Sequence, residues 1–210
     1  MDATQNTALE AIHEEVRRCQ RCPLHVGRTH AVPGAGPCDA DIMFIGEAPG
    51  FHEDQQGLPF VGAAGNFLDQ LLQGIGIDRS KVYITNVIKC RPPGNRDPQG
   101  DEVGACRDYL DQQIEIIHPK IIVTLGRHSM ARAFPEEKIS LVHGQARKVG
   151  EYTYFPMYHP AAALHQPSLK QAIEEDFQKL KQLLDGQVKP NEYQAPPQLE
   201  QLSIDRKSVV

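Results

Sequence analysis

The sequence predicts an α/β fold around a mostly parallel, four-stranded sheet, and three observations carry that prediction. Four short apolar runs rich in β-branched or aromatic residues have strand length: "IMFIG" (42–46), "VYITNVIK" (82–89), "IIVTLG" (121–126) and "YTYFPMYH" (152–159). Stretches with helical periodicity separate them. Strands alternating with helices are the pattern of crossover units, which lay strands parallel with helices on the sheet faces.

Taken in order, Leu9, Ile12, Val16 and Cys19 recur at helical spacing, so residues 7–19 are expected to form an amphipathic helix that delivers Cys19 and Cys22 at its end. Residues 23–39 are rich in Gly and Pro and read as loop. After the first strand, Phe67, Leu68, Leu71 and Leu72 mark a helix. Val103, Tyr109 or Leu110, Ile114 and Ile117 mark another after the second strand, and a short helix falls near 127–134. Ile173, Phe177, Leu180 and Leu184 mark the last, with Ser168 as its expected N-cap. From about residue 186 the chain turns polar and proline-containing, which predicts a domain over 1–185 and a flexible tail over 186–210.

Open α/β sheets bind ligands at the carboxyl ends of their strands. The stretch "GEAPGFHEDQQGLPFVGAAG" leaves the first strand, Asn86 to Cys90 end the second, and His159 ends the fourth, so these segments are expected to converge on one crevice. The stretch has the glycine density of a phosphate loop, yet no GK[ST] or GxGxxG spacing. It also carries Glu47, Glu53 and Asp54, which do not suit a polyanion, and one aromatic, Phe60.

The formal charge of −5 argues against a chain that coats nucleic acid through bulk charge, though Arg17, Arg18, Arg21 and Arg28, and Lys81, Lys89, Arg91 and Arg96, form local basic groups. No apolar run approaches the roughly 18 residues of a membrane span. The start "MDATQNTALEAIHEEVRR" lacks the pattern of a signal peptide, so a cytoplasmic protein without membrane association is expected. Five cysteines make a poor disulfide framework in that compartment. Cys19 and Cys22 have chelating spacing, while Cys90 and Cys106 lie far downstream. Four thiolates suit structural zinc or an iron–sulfur cluster, and the lack of a second CxxC pair favours the cluster. Cys38 is expected to be structural.

Three ordered motifs, "GEAPGFHEDQQGLPFVGAAGNFLDQLL", "VYITNVIKCRPPGNRDP" and "FPMYHPAAAL", together with the cysteine spacing, resemble the family 4, iron–sulfur uracil-DNA glycosylases over roughly residues 15–185. The resemblance implies a three-layer α/β/α sandwich and a [4Fe–4S] cluster on Cys19, Cys22, Cys90 and Cys106. It implies hydrolysis of the N-glycosidic bond of flipped-out deoxyuridine in single- or double-stranded DNA, which leaves an abasic site for base excision repair. Such an enzyme is expected to work as a monomer.

The residues suit that chemistry. A base must leave the stack before its N1–C1′ bond is reachable. Phe60 offers a flat wall for it. The Asn86 side-chain amide donates to uracil O4 and accepts from N3–H, a pattern cytosine inverts. His159 is placed to stabilise charge developing on uracil O2. Backbone amides around Glu47 and Ala48 are expected to contact the base, because glycine-rich turns permit close backbone approach. The best-known members of the superfamily have aspartate and tyrosine where this chain has Ala48 and Gly50, which leaves Glu47 as the candidate to orient water or face the sugar cation. The resemblance gives Glu53 the exclusion of the thymine methyl; otherwise it is a solvated loop acid. Leu164 is the candidate wedge for the gap a flipped base leaves. The competing readings are a non-catalytic iron–sulfur DNA-binding or redox-sensing module and a zinc-stapled protein. In the tail, "EQLSID" (200–205) is similar to peptides that dock on the bacterial sliding clamp.

Overall fold

Helices are packed on both faces of one sheet in the computed structural model, which describes residues 3–193. The described residues form α1 (Ala3–Arg18), α2 (Leu24–Gly27), β1 (Ile42–Gly46), α3 (Phe51–Gln56), α4 (Ala63–Gly74), β2 (Tyr83–Asn86), α5 (Gly100–Ile117) and β3 (Ile121–Leu125). They continue with α6 (Arg127–Met130), α7 (Ile139–Val142), β4 (Arg147–Val149), β5 (Tyr152–Met157), α8 (Pro160–His165), α9 (Ser168–Leu184) and β6 (Asn191–Glu192). None of these helices is long and apolar enough to cross a membrane.

The four runs read as strands become β1, β2, β3 and β5, paired in parallel in the order β2-β1-β3-β5. The sheet nevertheless has six strands and is mixed, which corrects the expected four: β4 pairs antiparallel with β5, and β6 parallel with β4. Arg147, Lys148 and Val149, and Asn191 and Glu192, carry no apolar alternation because they form the sheet's exposed margin, where charged side chains are favoured. Every residue of β1 and β3 is buried, as a strand covered on both faces requires.

Alternation along the strands divides the core in two. Met43, Ile45, Tyr83, Ile122 and Tyr154 pack with Leu9, Ile12 and Val16 of α1 and Tyr109, Leu110 and Ile114 of α5. Ile42, Phe44, Ile84, Val123 and Phe155 pack with Leu68 and Leu72 of α4 and Ile173, Phe177 and Leu180 of α9. The rings of Phe44 and Phe177 stack across that second layer at 6.1 Å.

Local details depart from the sequence reading. The second strand ends at Asn86, and α9 has Pro167 as its N-cap with Ser168 as its first residue. His159 lies two residues beyond β5, where it caps α8. Residues 186–193, assigned to the tail by composition, return to the sheet as β6, and the ring of Tyr193 stands edge-on to Phe134 at 4.7 Å. The "EQLSID" stretch lies outside the described residues.

Candidate active site

β1 and β2 are neighbours, so the segments leaving their carboxyl ends start side by side, with Gly46 opposite Asn86. Together with α8 they enclose a cavity of about 360 Å³ that Glu47, Ala48, Glu53, Phe60, Asn86 and His159 all line. That volume falls within the range of small-ligand pockets. The glycine stretch, the end of the second strand and His159 therefore do converge.

Asn86 is buried, and its side-chain Oδ1 has no hydrogen-bond partner. Leaving a buried carbonyl oxygen unpaired costs about 1–3 kcal/mol. Phe60, also buried, has a positive φ of 52°, which turns its ring toward Gly46. Its ring stacks on the His159 imidazole with centroids 5.5 Å apart and planes 25° apart. His159 Nδ1 accepts from the Ala161 N–H at 3.1 Å, so the neutral imidazole carries its proton on Nε2. Burial pushes His159 down to about 4, against a smaller upward pull from Glu53. Burial thus favours the neutral imidazole, with its proton on Nε2.

Glu53 faces the loop. Its Oε1 accepts from the Val61 and Gly62 amides at 2.9 and 3.0 Å, and its Oε2 accepts from the Gly50 amide at 3.1 Å. It sits at the third position of α3, a helix the glycine content concealed, and ties its start to the loop that follows Phe60. Arg79 reinforces that loop by donating to the Pro59 carbonyl at 2.7 Å while pairing with Asp69 at 2.6 Å.

Glu47 follows β1 immediately. Burial pushes its carboxyl above the ordinary range; His128 and Arg127 draw it down, and Asp97 adds to the rise. Its Oε2 lies 3.8 Å from His128 Nε2, and that nitrogen is 3.4 Å from Asp97 Oδ2. Asp97 and His128 were missed by sequence reasoning because they lie on separate segments; the "NRDP" in the second motif and the "GRH" after the third strand were the only traces.

Beneath Asn86 runs a buried polar network. Lys89 Nζ donates to Thr85 Oγ1 at 2.6 Å, the Asn86 carbonyl at 2.8 Å and Gln113 Oε1 at 2.7 Å. Gln113 Nε2 donates to Tyr83 Oη at 3.0 Å, which meets His13 Nε2 at 2.7 Å. Three acceptors meet all three ammonium donors, which a buried lysine requires. Burial still pushes Lys89 down to about 7.

Cys19, Cys22, Cys90 and Cys106 line a second cavity with Arg28, while Cys38 is buried in the core. Arg28 Nη1 donates to Cys90 Sγ at 3.1 Å and the Arg21 N–H to Cys19 Sγ at 3.4 Å. Burial pushes the Cys90 thiol up to about 11 and raises Cys22 and Cys106, and a bound metal would favour their thiolate forms. Among the described residues, Glu47, Asp97 and His128 form the one set of three or more His, Cys, Asp or Glu ligand atoms mutually within 4.8 Å, so no three thiols lie that close. A tetrahedral zinc with Zn–S near 2.3 Å needs sulfurs about 3.8 Å apart.

Leu164 of α8 is half exposed, outside the base-sized cavity. Arg96, Asn95 and Pro92, none singled out from the sequence as pocket residues, complete the cavity wall. Both Arg96 guanidinium termini are bound to the buried Glu102 carboxylate at 2.6 and 2.9 Å.

Fold and site together define an α/β protein with a ring-sized pocket at the carboxyl edge of its sheet and a four-thiol cavity behind it. Residues 33–182 match the model of the uracil DNA glycosylase superfamily. The chain is 53% identical to the type-4 uracil-DNA glycosylase of Sulfurisphaera tokodaii, over 84% of each chain. It is 50% identical to that of Saccharolobus solfataricus, over 85% of this chain and 87% of the relative, and 45% identical to that of Archaeoglobus fulgidus, over 84% and 93%. The chain belongs to the uracil-DNA glycosylase superfamily.

Proposed function

We propose that this chain is a uracil-DNA glycosylase of the type-4 kind, releasing uracil from DNA by hydrolysis of the N1–C1′ bond. The observation that carries the reading is the unpaired Oδ1 of Asn86 beside the Phe60 ring. A flipped uracil stacked on Phe60 supplies that oxygen with N3–H and takes a hydrogen bond from Nδ2 at O4. Cytosine presents an acceptor at N3 and a donor at its exocyclic amine, and leaves both ends of the amide opposed.

As the N1–C1′ bond breaks, its electron pair leaves with uracil and spreads onto O2. The His159 Nε2–H is the donor available for that charge. Water bonds to C1′ and passes a proton to the Glu47 carboxylate, whose negative charge also favours the developing sugar cation. Ala48 contributes backbone at the base, Glu53 acts by holding the Phe60 loop in place, and Leu164 enters the DNA stack from the surface.

A [4Fe–4S] cluster held by Cys19, Cys22, Cys90 and Cys106 is the reading favoured over zinc by the single CxxC pair and by the donors to Cys19 and Cys90. When bound, it links the end of α1, the segment after β2 and α5, and it supplies no group to the base. The working compartment is the reducing cytoplasm, and the working unit is the monomer. A non-catalytic iron–sulfur module on the same fold leaves the unpaired amide oxygen without a purpose.

The test is release of free uracil from single- and double-stranded oligonucleotides carrying one uracil. The wild-type chain should release it from both, and Asn86→Ala should lose about 10²-fold or more in kcat/KM. A cluster-loaded wild type that releases none would overturn the reading.

A further inference from the structure

Phe51 is the one exposed Phe or Tyr among the described residues, with 52% of its surface in water. It opens α3, one residue past Gly50, which lines the cavity. From the segment after β2 comes Arg91, one residue before Pro92 of the cavity wall. The Arg91 guanidinium carbon lies 5.1 Å from the centroid of the Phe51 ring, a cation–π distance. Asn95, also of the wall, fixes that guanidinium by accepting from its Nε at 2.7 Å. The His52 ring stands at 80° to the Phe51 ring, with centroids 5.4 Å apart. Arg91 pairs with no carboxylate among the described residues, whereas Arg96 of the same segment is bound to Glu102. Neither half of the core includes Phe51, so the ring and its cation do not serve the interior of the fold. They sit where two segments of the cavity wall leave the cavity. Adjacent residues are about 3.8 Å apart along a chain, and stacked nucleotides about 3.4 Å apart along a strand. The neighbour of a nucleotide whose base fills the cavity therefore comes within reach of the pair. An aromatic ring takes a base of any identity, and a guanidinium without a carboxylate takes a phosphate.

We propose that Phe51 and Arg91 form a stacking platform for the unpaired base next to the flipped uracil on the same strand, adding affinity for single-stranded DNA that a duplex does not receive. The inference rests on the uracil-releasing function proposed above. In a duplex the neighbouring base is paired and stacked within the helix, and the platform has no occupant. In a single strand that base is free to swing onto the ring while Arg91 meets the phosphate beside it.

The test uses full-length, cluster-loaded protein and fluorescence anisotropy with oligonucleotides carrying one 2′-fluoro-deoxyuridine, whose fluorine opposes positive charge on the sugar and so slows cleavage. Phe51→Ala should weaken single-strand binding roughly 5- to 150-fold, the worth of one base–aromatic stack, with a much smaller loss on duplex. Phe51→Tyr should keep the affinity and Phe51→Leu should not. Replacing the base on the 5′ or the 3′ side of the uracil with an abasic analogue should, on one of the two sides, cost wild type the same factor and cost Phe51→Ala nothing further. Arg91→Gln should lower the slope of log affinity against log salt by about 0.7, the share of one phosphate on a single strand. Unchanged single-strand affinity in Phe51→Ala overturns the proposal. So does an equal loss on duplex, full affinity in Phe51→Leu, or a loss in Phe51→Ala that multiplies with that of the abasic analogue on both sides. Release of uracil from ordinary deoxyuridine by the same wild-type sample tests the proposed function separately and keeps the two failures apart.

Discussion

Gly46 and Asn86 face each other across the β1–β2 ladder, and a β-carbon built on Gly46 would lie 2.4 Å from Asn86 Oδ1. The same atom would lie 2.7 Å from the Phe60 ring. The missing side chain is what allows the Asn86 amide and the Phe60 ring to approach each other.

Gly46→Ala should therefore displace both walls of the pocket while leaving the sheet intact. Misplacement of about 1 Å in a reacting assembly costs about 10²-fold. Uracil release should fall by that order, with an unchanged far-ultraviolet spectrum. Retention of full kcat/KM would show that the pocket reads the base elsewhere.

His159→Ala should lower kcat by about 10²–10³-fold, the cost of removing one donor from a developing oxyanion. Because burial holds His159 near 4, below the value of about 6.5 in an unfolded chain, the folded state resists its protonation. The stability this contributes is complete above about pH 6.5 and is lost progressively as pH falls toward 4. Thermal melting of wild type over that window should decline more steeply than that of His159→Ala.

Glu53→Gln exchanges a carboxylate that accepts three backbone amides for a group with one acceptor. The loss should be about 2 kcal/mol, or roughly 6 °C in Tm for a chain of this size. KM should rise as the Phe60 loop loosens. An unchanged Tm together with new activity on thymine would return Glu53 to the methyl-excluding role that the resemblance implies.

Cys90→Ser should abolish the absorbance near about 400 nm that marks thiolate-bound iron–sulfur and should lower Tm. Cys38→Ser, at a core position away from the thiol cavity, should keep the absorbance. Colourless protein containing zinc would identify the other metal.

The parallel heart of the sheet was legible because β1, β2, β3 and β5 are buried strands with continuous apolar runs. Asn86 stood out as a polar residue at the end of such a run. The edge strands β4 and β6 were hidden because two or three polar residues carry no period. Helix α3 was hidden because it contains a Glu-Asp pair and lies between glycines, where its signal is the capping contact of Glu53, a three-dimensional fact. The approach of Asp97 and His128 to Glu47 depends on which strands are neighbours, and no local pattern in the sequence encodes that order.

The chain of hydrogen bonds from His13 through Tyr83, Gln113 and Lys89 to the Asn86 carbonyl spans 70 residues of sequence at its first link alone. The first helix is thus part of the frame that holds the Asn86 backbone. A substitution in α1 at His13 should therefore loosen the placement of Asn86, at the far end of that chain, in a protein that still folds.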